Sequence, residues 1–114
     1  MRKIVAYKGY YDEFKASVGP EVIKKFEYVF EMLKTGERLP RKFMNYIYHS
    51  NGLYKIRVTA LGHNYRLFFV FGKDNTVVLF NGFLKTTAKT PKDQKAKAFK
   101  IQEEYEAEMA AKSK

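Results

Sequence analysis

The apolar residues of this chain follow two periods, and the change of period divides it. From Val22 to Leu33 they recur every three or four residues (Val22, Ile23, Phe26, Val29, Phe30, Leu33), the spacing that places side chains on one side of an α-helix. Gly19-Pro20 precedes this stripe, and Pro20 suits the first helical position. Thr35-Gly36 ends it, with Gly36 placed to cap the helix in a left-handed conformation. A shorter helix is predicted over Tyr10 to Val18, where Tyr11, Phe14 and Val18 share a side. Ahead of it, the β-branched and aromatic residues of Ile4 to Lys8 predict an opening strand.

From Leu53 the period becomes two. In a strand running to Ala60, Tyr54, Ile56 and Val58 face one way, and Lys55, Arg57 and Thr59 the other. Leu61 to Asn64 turns the chain and Tyr65 to Phe71 returns it. Gly72 to Asn75 makes a hairpin loop, and Thr76 to Phe80 forms the next strand. Gly82 and the Lys85 to Lys89 segment are expected to leave the sheet. Leu39 to Asn51, which contains Pro40 and leads into the turn signal Ser50-Asn51-Gly52, reads as a basic connector. Thr90-Pro91-Lys92-Asp93 reads as a helix start. Thr90 caps, Pro91 takes the first helical position, and Asp93 meets the positive end of the dipole. Ala98, Ile101, Tyr105 and Met109 then recur at helical spacing. The first half of this helix holds Lys92, Lys95, Lys97 and Lys100, its second half Glu103, Glu104, Glu106 and Glu108, and Ala110 to Lys114 is expected to fray.

These elements give a small α+β fold. Hairpin-length connections make the last three strands antiparallel. The N-terminal helices pack on one face of a small, mainly antiparallel sheet, the opposite face keeps Lys55 and Arg57, and a C-terminal helix closes the chain. At 114 residues, 1–114 forms a single domain with one core and no internal repeat.

Composition changes the picture in two respects. The net charge is +10, with Lys+Arg 22 against Asp+Glu 12, an excess that favours polyanionic partners: nucleic acid first, then an acidic protein or an anionic membrane surface. There is no cysteine, which excludes disulfides, thiolate zinc sites and thiol catalysis and fits a cytoplasmic protein. The N-terminus lacks the apolar run of a signal peptide, and no segment approaches the length of a membrane span.

The charge is concentrated. Between Arg38 and Lys73 there is no Asp or Glu, yet Arg38, Arg41, Lys42, Lys55, Arg57, Arg66 and Lys73 lie there. Arg57 and Arg66 sit inside apolar strand patterns, where a cation loses hydration and needs an anion. Lys55 and Arg57 share a face, Arg66 lies on the next strand, and Lys85 follows the third. A patch built from them suits phosphate, because the arginine fork gives paired hydrogen bonds. It can also stabilise the added charge of a phosphorane-like transition state. Tyr65 can stack on a base or assist proton transfer. Structural alternatives stand beside these roles. Lys55 and the lysines of the last helix can be solvated, Arg57 and Arg66 can pair with Glu27 or Glu31, and Tyr65 can belong to the core. His49 and His63 fall at turns, and no histidine or carboxylate spacing suggests a metal site.

Three sequence elements, in this order, carry a resemblance: Gly52-Leu53-Tyr54-Lys55-Ile56-Arg57-Val58; Tyr65-Arg66-Leu67-Phe68; and the run from Val77 through Asn81-Gly82-Phe83-Leu84-Lys85 to Lys89-Thr90-Pro91. Together they resemble the HigB-like, phage-derived branch of the RelE/ParE toxin superfamily. The resemblance spans nearly the whole chain and implies a RelE-like fold. It further implies the toxin of a type II toxin–antitoxin system, an endoribonuclease that cuts mRNA on the ribosome without a metal or other cofactor. The implied partners are the ribosome, mRNA and a cognate antitoxin, commonly a helix-turn-helix protein of HigA type, with DNA reached only through that antitoxin and no membrane. By position, Arg57, Arg66 and Lys85 are the implied catalytic residues, and Lys89 matches the family's motif too; the expected RNA contacts are Lys55, Tyr65, Lys89 and Lys92. The branch often has His where this chain has Asn81, Glu where it has Lys55, and a second lysine where it has Thr86. Two other functions remain: a ParE-like gyrase poison, and a basic domain that binds RNA or ribosomes with little catalysis.

Overall fold

The computed structural model describes residues 1–36, 39–86 and 91–113. Along the chain the elements are β1 (Lys3–Ala6), α1 (Tyr10–Ala16), α2 (Pro20–Lys34), β2 (Met44–Tyr46), β3 (Leu53–Ala60), β4 (His63–Gly72), β5 (Thr76–Lys85) and α3 (Lys92–Lys112). The strands form one mixed sheet in the order β1-β5-β4-β3-β2. The pairs β2–β3, β3–β4 and β4–β5 are antiparallel, as short connections require, while β1 runs parallel to β5 at one edge. The fold is α+β and compatible with the RelE-like architecture.

Helix α2 forms where its stripe predicts it, and Val22, Ile23, Phe26, Val29, Phe30 and Leu33 are all buried. It ends at Thr35, and Gly36 follows at φ 76°, the left-handed conformation that a glycine adopts without a Cβ clash. With α1 it covers one face of the sheet, burying Ile56, Val58, Tyr65, Leu67, Phe69, Val77 and Leu79.

Four expectations change. The Leu39 to Asn51 connector contains β2, whose three residues are too few for alternation to register. Pro91 is the residue before α3 rather than its first helical residue; Thr90 lies outside the described residues. The sheet's second face is not left open, because α3 covers much of it. Ala98 and Ile101 pack there on Leu53, Phe68, Val70, Val78, Phe80 and Phe83. Finally, β5 does not leave the sheet at Gly82 but continues to Lys85.

That last difference rests on a bulge. Leu67 pairs with Gly82 and Phe69 with Leu79, so Phe80 and Asn81 together oppose Phe68. Before the bulge, Val78 and Phe80 face α3; after it, Phe83 does. An extra residue in one strand reverses its alternation from that point on, so Lys85 falls on the α3 face with Arg66 and Arg57. Gly82 then faces α1, with the Phe14 ring directly upon it: a Cβ built at Gly82 would lie 2.5 Å from Phe14 Cγ. A Gly82→Ala variant should therefore lose about 1–3 kcal/mol of stability through overpacking. Thermal or urea unfolding checks this, and Phe14→Leu in the same chain should recover part of the loss. Equal stability of Gly82→Ala and the parent would refute this close approach.

Candidate functional site

Three neighbouring strands assemble the cations. Lys55 and Arg57 are two residues apart on β3 and so share a face. The antiparallel register sets Arg66 of β4 directly opposite Arg57. On β5, Phe83 stands opposite Arg66, and Lys85 stands opposite Asn64. Strand β2 adds Asn45 opposite Lys55, and the first turn of α3 adds Lys95. The result is a cleft of about 360 Å3 lined by Asn45, Tyr48, Lys55, Arg57, Lys85 and Lys95, among others.

Its electrostatics are adverse to the isolated protein. Arg66 is only 4% exposed. Its Nη1 donates to the Tyr65 carbonyl at 2.9 Å, and its Nε is buried without a partner. Burial, then the Arg57 charge, lowers its pKa; an arginine nevertheless stays protonated. Arg57 donates to Asn45 Oδ1 at 3.3 Å. Burial lowers the Lys85 pKa, and Arg66 and Arg57 lower it further. Lys55 is affected most. Burial first, then Arg66, Lys85, Arg57 and Lys95, brings its pKa to about 8. Among the described residues no carboxylate pairs with Arg57, Arg66 or Lys85; ion pairs such as Lys8–Glu104 at 3.0 Å and Lys34–Glu31 at 3.1 Å lie elsewhere. Glu27 and Glu31 belong to α2, on the sheet's other face.

The structure brings together Lys55, Arg57, Arg66 and Lys85 but separates other candidates from them. Tyr65 follows the opposite alternation and is buried in the α1–α2 core, with its ring 6.5 Å from that of Phe14. It cannot stack on a base held by the cations. Lys92 is exposed at the start of α3 and does not line the cleft; Lys95, one turn on, does. Lys89, like Arg38, lies outside the described residues. Asn81 also stays out of the cleft. It is 2% exposed, and its Nδ2 donates to the Gln94 backbone carbonyl and Oε1, each at 3.2 Å. His49 is exposed, with its ring 4.2 Å from that of Tyr48, and His63 is exposed at the start of β4. No cluster of metal-ligating residues occurs among the described residues, and no described helix is long and apolar enough to cross a membrane.

Asn45, Tyr48 and Lys95 escaped the sequence reading. The first two lie in the segment taken as a connector. Lys95 is one of a lysine row whose members are alike until the start of α3 is known. Tyr48 is 76% exposed at the rim of the cleft, and it fills the place that Tyr65 vacates as an aromatic near the cations.

Like charges held together in a half-buried site should be relieved by a bound anion. Phosphate at a few millimolar should raise the melting temperature more than chloride at matched ionic strength. Arg66→Met should abolish that difference and melt no lower than the parent protein without phosphate. An unchanged phosphate effect in Arg66→Met would show that the anion binds elsewhere.

The sequence model of the family described as phage-derived Gp49-like protein (DUF891) matches residues 13–103. No curated protein matches the chain. The family match begins in α1, includes β2 through β5 and ends inside α3, so every strand of the cleft falls within it. The chain therefore belongs to the phage-derived Gp49-like family, a toxin-like family of RelE/HigB type.

Proposed function

We propose that this protein is the toxin of a type II toxin–antitoxin pair, of the HigB-like branch, and that it cuts mRNA on the ribosome. The observation that carries the proposal is the convergence of Lys55, Arg57, Lys85 and Lys95 on one cleft, with the buried Arg66 charge close beside them, and with no carboxylate among the described residues pairing with Arg57, Arg66 or Lys85. A phosphodiester entering the cleft supplies the missing negative charge.

In the proposed reaction the ribose 2′-oxygen attacks the adjacent phosphorus. The bond from 2′-oxygen to phosphorus forms, the bond from phosphorus to the 5′-oxygen breaks, and the products are a 2′,3′-cyclic phosphate and a 5′-hydroxyl. Arg57 holds the non-bridging oxygens, and the buried Arg66 charge beside it helps to stabilise the charge that grows on them. The proton of the 2′-hydroxyl needs an acceptor. With a pKa of about 8, roughly a tenth of Lys55 is neutral at pH 7, so its amine can take that proton. Lys85, an ammonium of lowered pKa, can return one to the leaving 5′-oxygen. Tyr48 offers an exposed ring at the rim for a neighbouring base. The silencing partner is a helix-turn-helix antitoxin, and any acidic segment of it that reaches the cleft would neutralise the same cations. Action on the ribosome places the protein in the cytoplasm.

Arg57→Ala and Arg66→Ala should each abolish growth arrest on expression while keeping a cooperative thermal transition, with cleavage lowered about 10²–10³-fold. Primer extension on cellular mRNA should show discrete cuts within codons for the parent and none for the variants. Intact mRNA with accumulating DNA breaks would replace this reading with gyrase poisoning. Ribosome binding that leaves mRNA whole would replace it with a non-cleaving domain.

The pH dependence tests the role of Lys55. The base must be neutral, so single-turnover cleavage should rise about tenfold per pH unit through pH 6 and 7 and level off only above pH 8, because the bound phosphodiester raises the Lys55 pKa above its value of about 8 in the free protein. Lys55→Arg stays protonated over this range and should give a slow, flat profile. A parent-like slope in Lys55→Arg would assign proton removal to another group.

A further inference from the structure

A second cavity, of about 500 Å3, lies between α2 and the outer edge of β3. Its floor is apolar, formed by Val29 and Val58, and its rim combines Lys24 and Lys42 with the rings of Tyr28 and Phe43. Arg57 lines both this cavity and the cationic cleft. Arg57 stands between the two spaces, just past the end of β2. The β2 ladder stops with Met44 opposite Ile56, and beyond it, among the described residues, the Arg57 amide bonds back to the Phe43 carbonyl at 2.7 Å. Among the described residues no strand covers the edge of β3 at Val58 and Thr59, which lines the cavity. Lys25 reaches this edge, donating to the Thr59 carbonyl at 2.6 Å.

We infer that this cavity is a nucleobase subsite: it takes the base of the nucleotide adjoining the pair joined by the scissile phosphate and holds it between Tyr28 and Phe43. The inference rests on the reading of the cleft as an RNA site. Tyr28 is 63% exposed and makes no ring contact among the described residues, so much of its ring is open to a ligand. The Phe43 ring already carries a cation, with Lys42 Nζ 5.0 Å from its centroid. Rings interleaved with lysines are the arrangement that holds unpaired bases: the rings stack and the lysines follow the backbone. An acidic apolar peptide would also satisfy lysines over an apolar floor. What favours RNA is Arg57, because a strand whose phosphate lies on that guanidinium must continue past it on one side or the other, and on this side an aromatic cavity is open.

The test uses 2′-O-methyl oligoadenylates of two to six nucleotides, which cannot be cleaved because they lack the attacking hydroxyl. Binding is followed by fluorescence anisotropy on a labelled end. The parent protein should gain affinity by about 5- to 150-fold at one length step, the range for stacking one base on an aromatic ring. Tyr28→Ala should lose that step and keep the dinucleotide affinity. Its fold should persist, because alanine replaces an exposed residue of a helix. Tyr28→Phe should retain the step, since stacking does not use the hydroxyl. A step that survives in Tyr28→Ala, or no step in the parent, overturns the subsite. So does a glutamate-rich peptide that binds in a Tyr28-dependent way while the oligomers show no step, which would make this a protein-docking surface. Failure of the cleft itself looks different: Arg66→Ala would then leave dinucleotide affinity unchanged.

Discussion

Strand β4 has no solvent face along most of its length. From Tyr65 to Val70 every residue is buried, because α1 and α2 cover one side of the sheet and α3 the other. Five of those six side chains suit such a place; Arg66 does not. Among the described residues its desolvation is opposed by a bond to the preceding carbonyl, and the register adds Arg57 directly opposite, a like-charge pairing that destabilises a sheet. The fold carries this cost because the same strand buries Phe68 and Phe69 completely, each worth about 1.5–3 kcal/mol against exposure. A residue that breaks the local rule while its neighbours keep it marks a site selected for something other than stability.

The amount of this that the sequence discloses depends on how local the causes are. The α2 stripe, the Gly36 cap and the pairings of β3, β4 and β5 follow from spacing and turn residues within a few positions of one another. The convergence of Lys55 and Arg57 needs only the alternation of one strand. Arg66 joins them once the hairpin at Leu61 to Asn64 fixes the register. Lys85 belongs to another category. Read on a regular strand it shares parity with Val77 and Leu79 and points at α1, and only the bulge at Phe80–Asn81 turns it to the cations. Nothing in the residues at the bulge announces it; it sets Gly82 against Phe14, nearly seventy positions earlier, whose ring occupies the space beside Gly82. Tyr65 fails for the complementary reason. Its neighbour Arg66 suggested a shared site, but adjacent strand residues face opposite ways.

Proton transfer shows the same dependence on tertiary context. The residue that the branch often has as histidine is Asn81 here. In this fold position 81 lies under the start of α3, where the amide holds Gln94 and thereby fixes the turn that presents Lys95. A substitution there bears on where α3 begins, not directly on an atom in the cleft. The group with altered proton affinity is Lys55, where the branch often has a carboxylate. Its low pKa does not come from its sequence neighbours alone. Burial contributes most, and the remainder comes from Arg66, Lys85, Arg57 and Lys95, supplied by three strands and a helix. The charges that would hold a phosphate are thus the ones that free an amine to accept a proton, so phosphate binding and base strength are coupled. A phosphodiester entering the cleft offsets the positive field and raises the Lys55 pKa, and the deprotonated fraction falls as the substrate settles.

That coupling governs how variants of the cleft are to be read. Removing Arg66 weakens the hold on phosphate, and it also removes the second cause of the low Lys55 pKa, so one substitution affects two steps. Its effect on rate should depend on pH. Near neutrality the lost base strength adds to the lost charge stabilisation, and above the Lys55 pKa only the second remains. Position 82 behaves differently. A side chain there pushes on Phe14 and threatens the bulge, and with it the facing of Lys85, without touching any cation in the cleft. The packing of α1 on the sheet and the placement of Lys85 are therefore one structural fact. A loss of activity from the Phe14–Gly82 contact reports the sheet's geometry, whereas a loss from Arg66 in a protein of undiminished stability reports the chemistry.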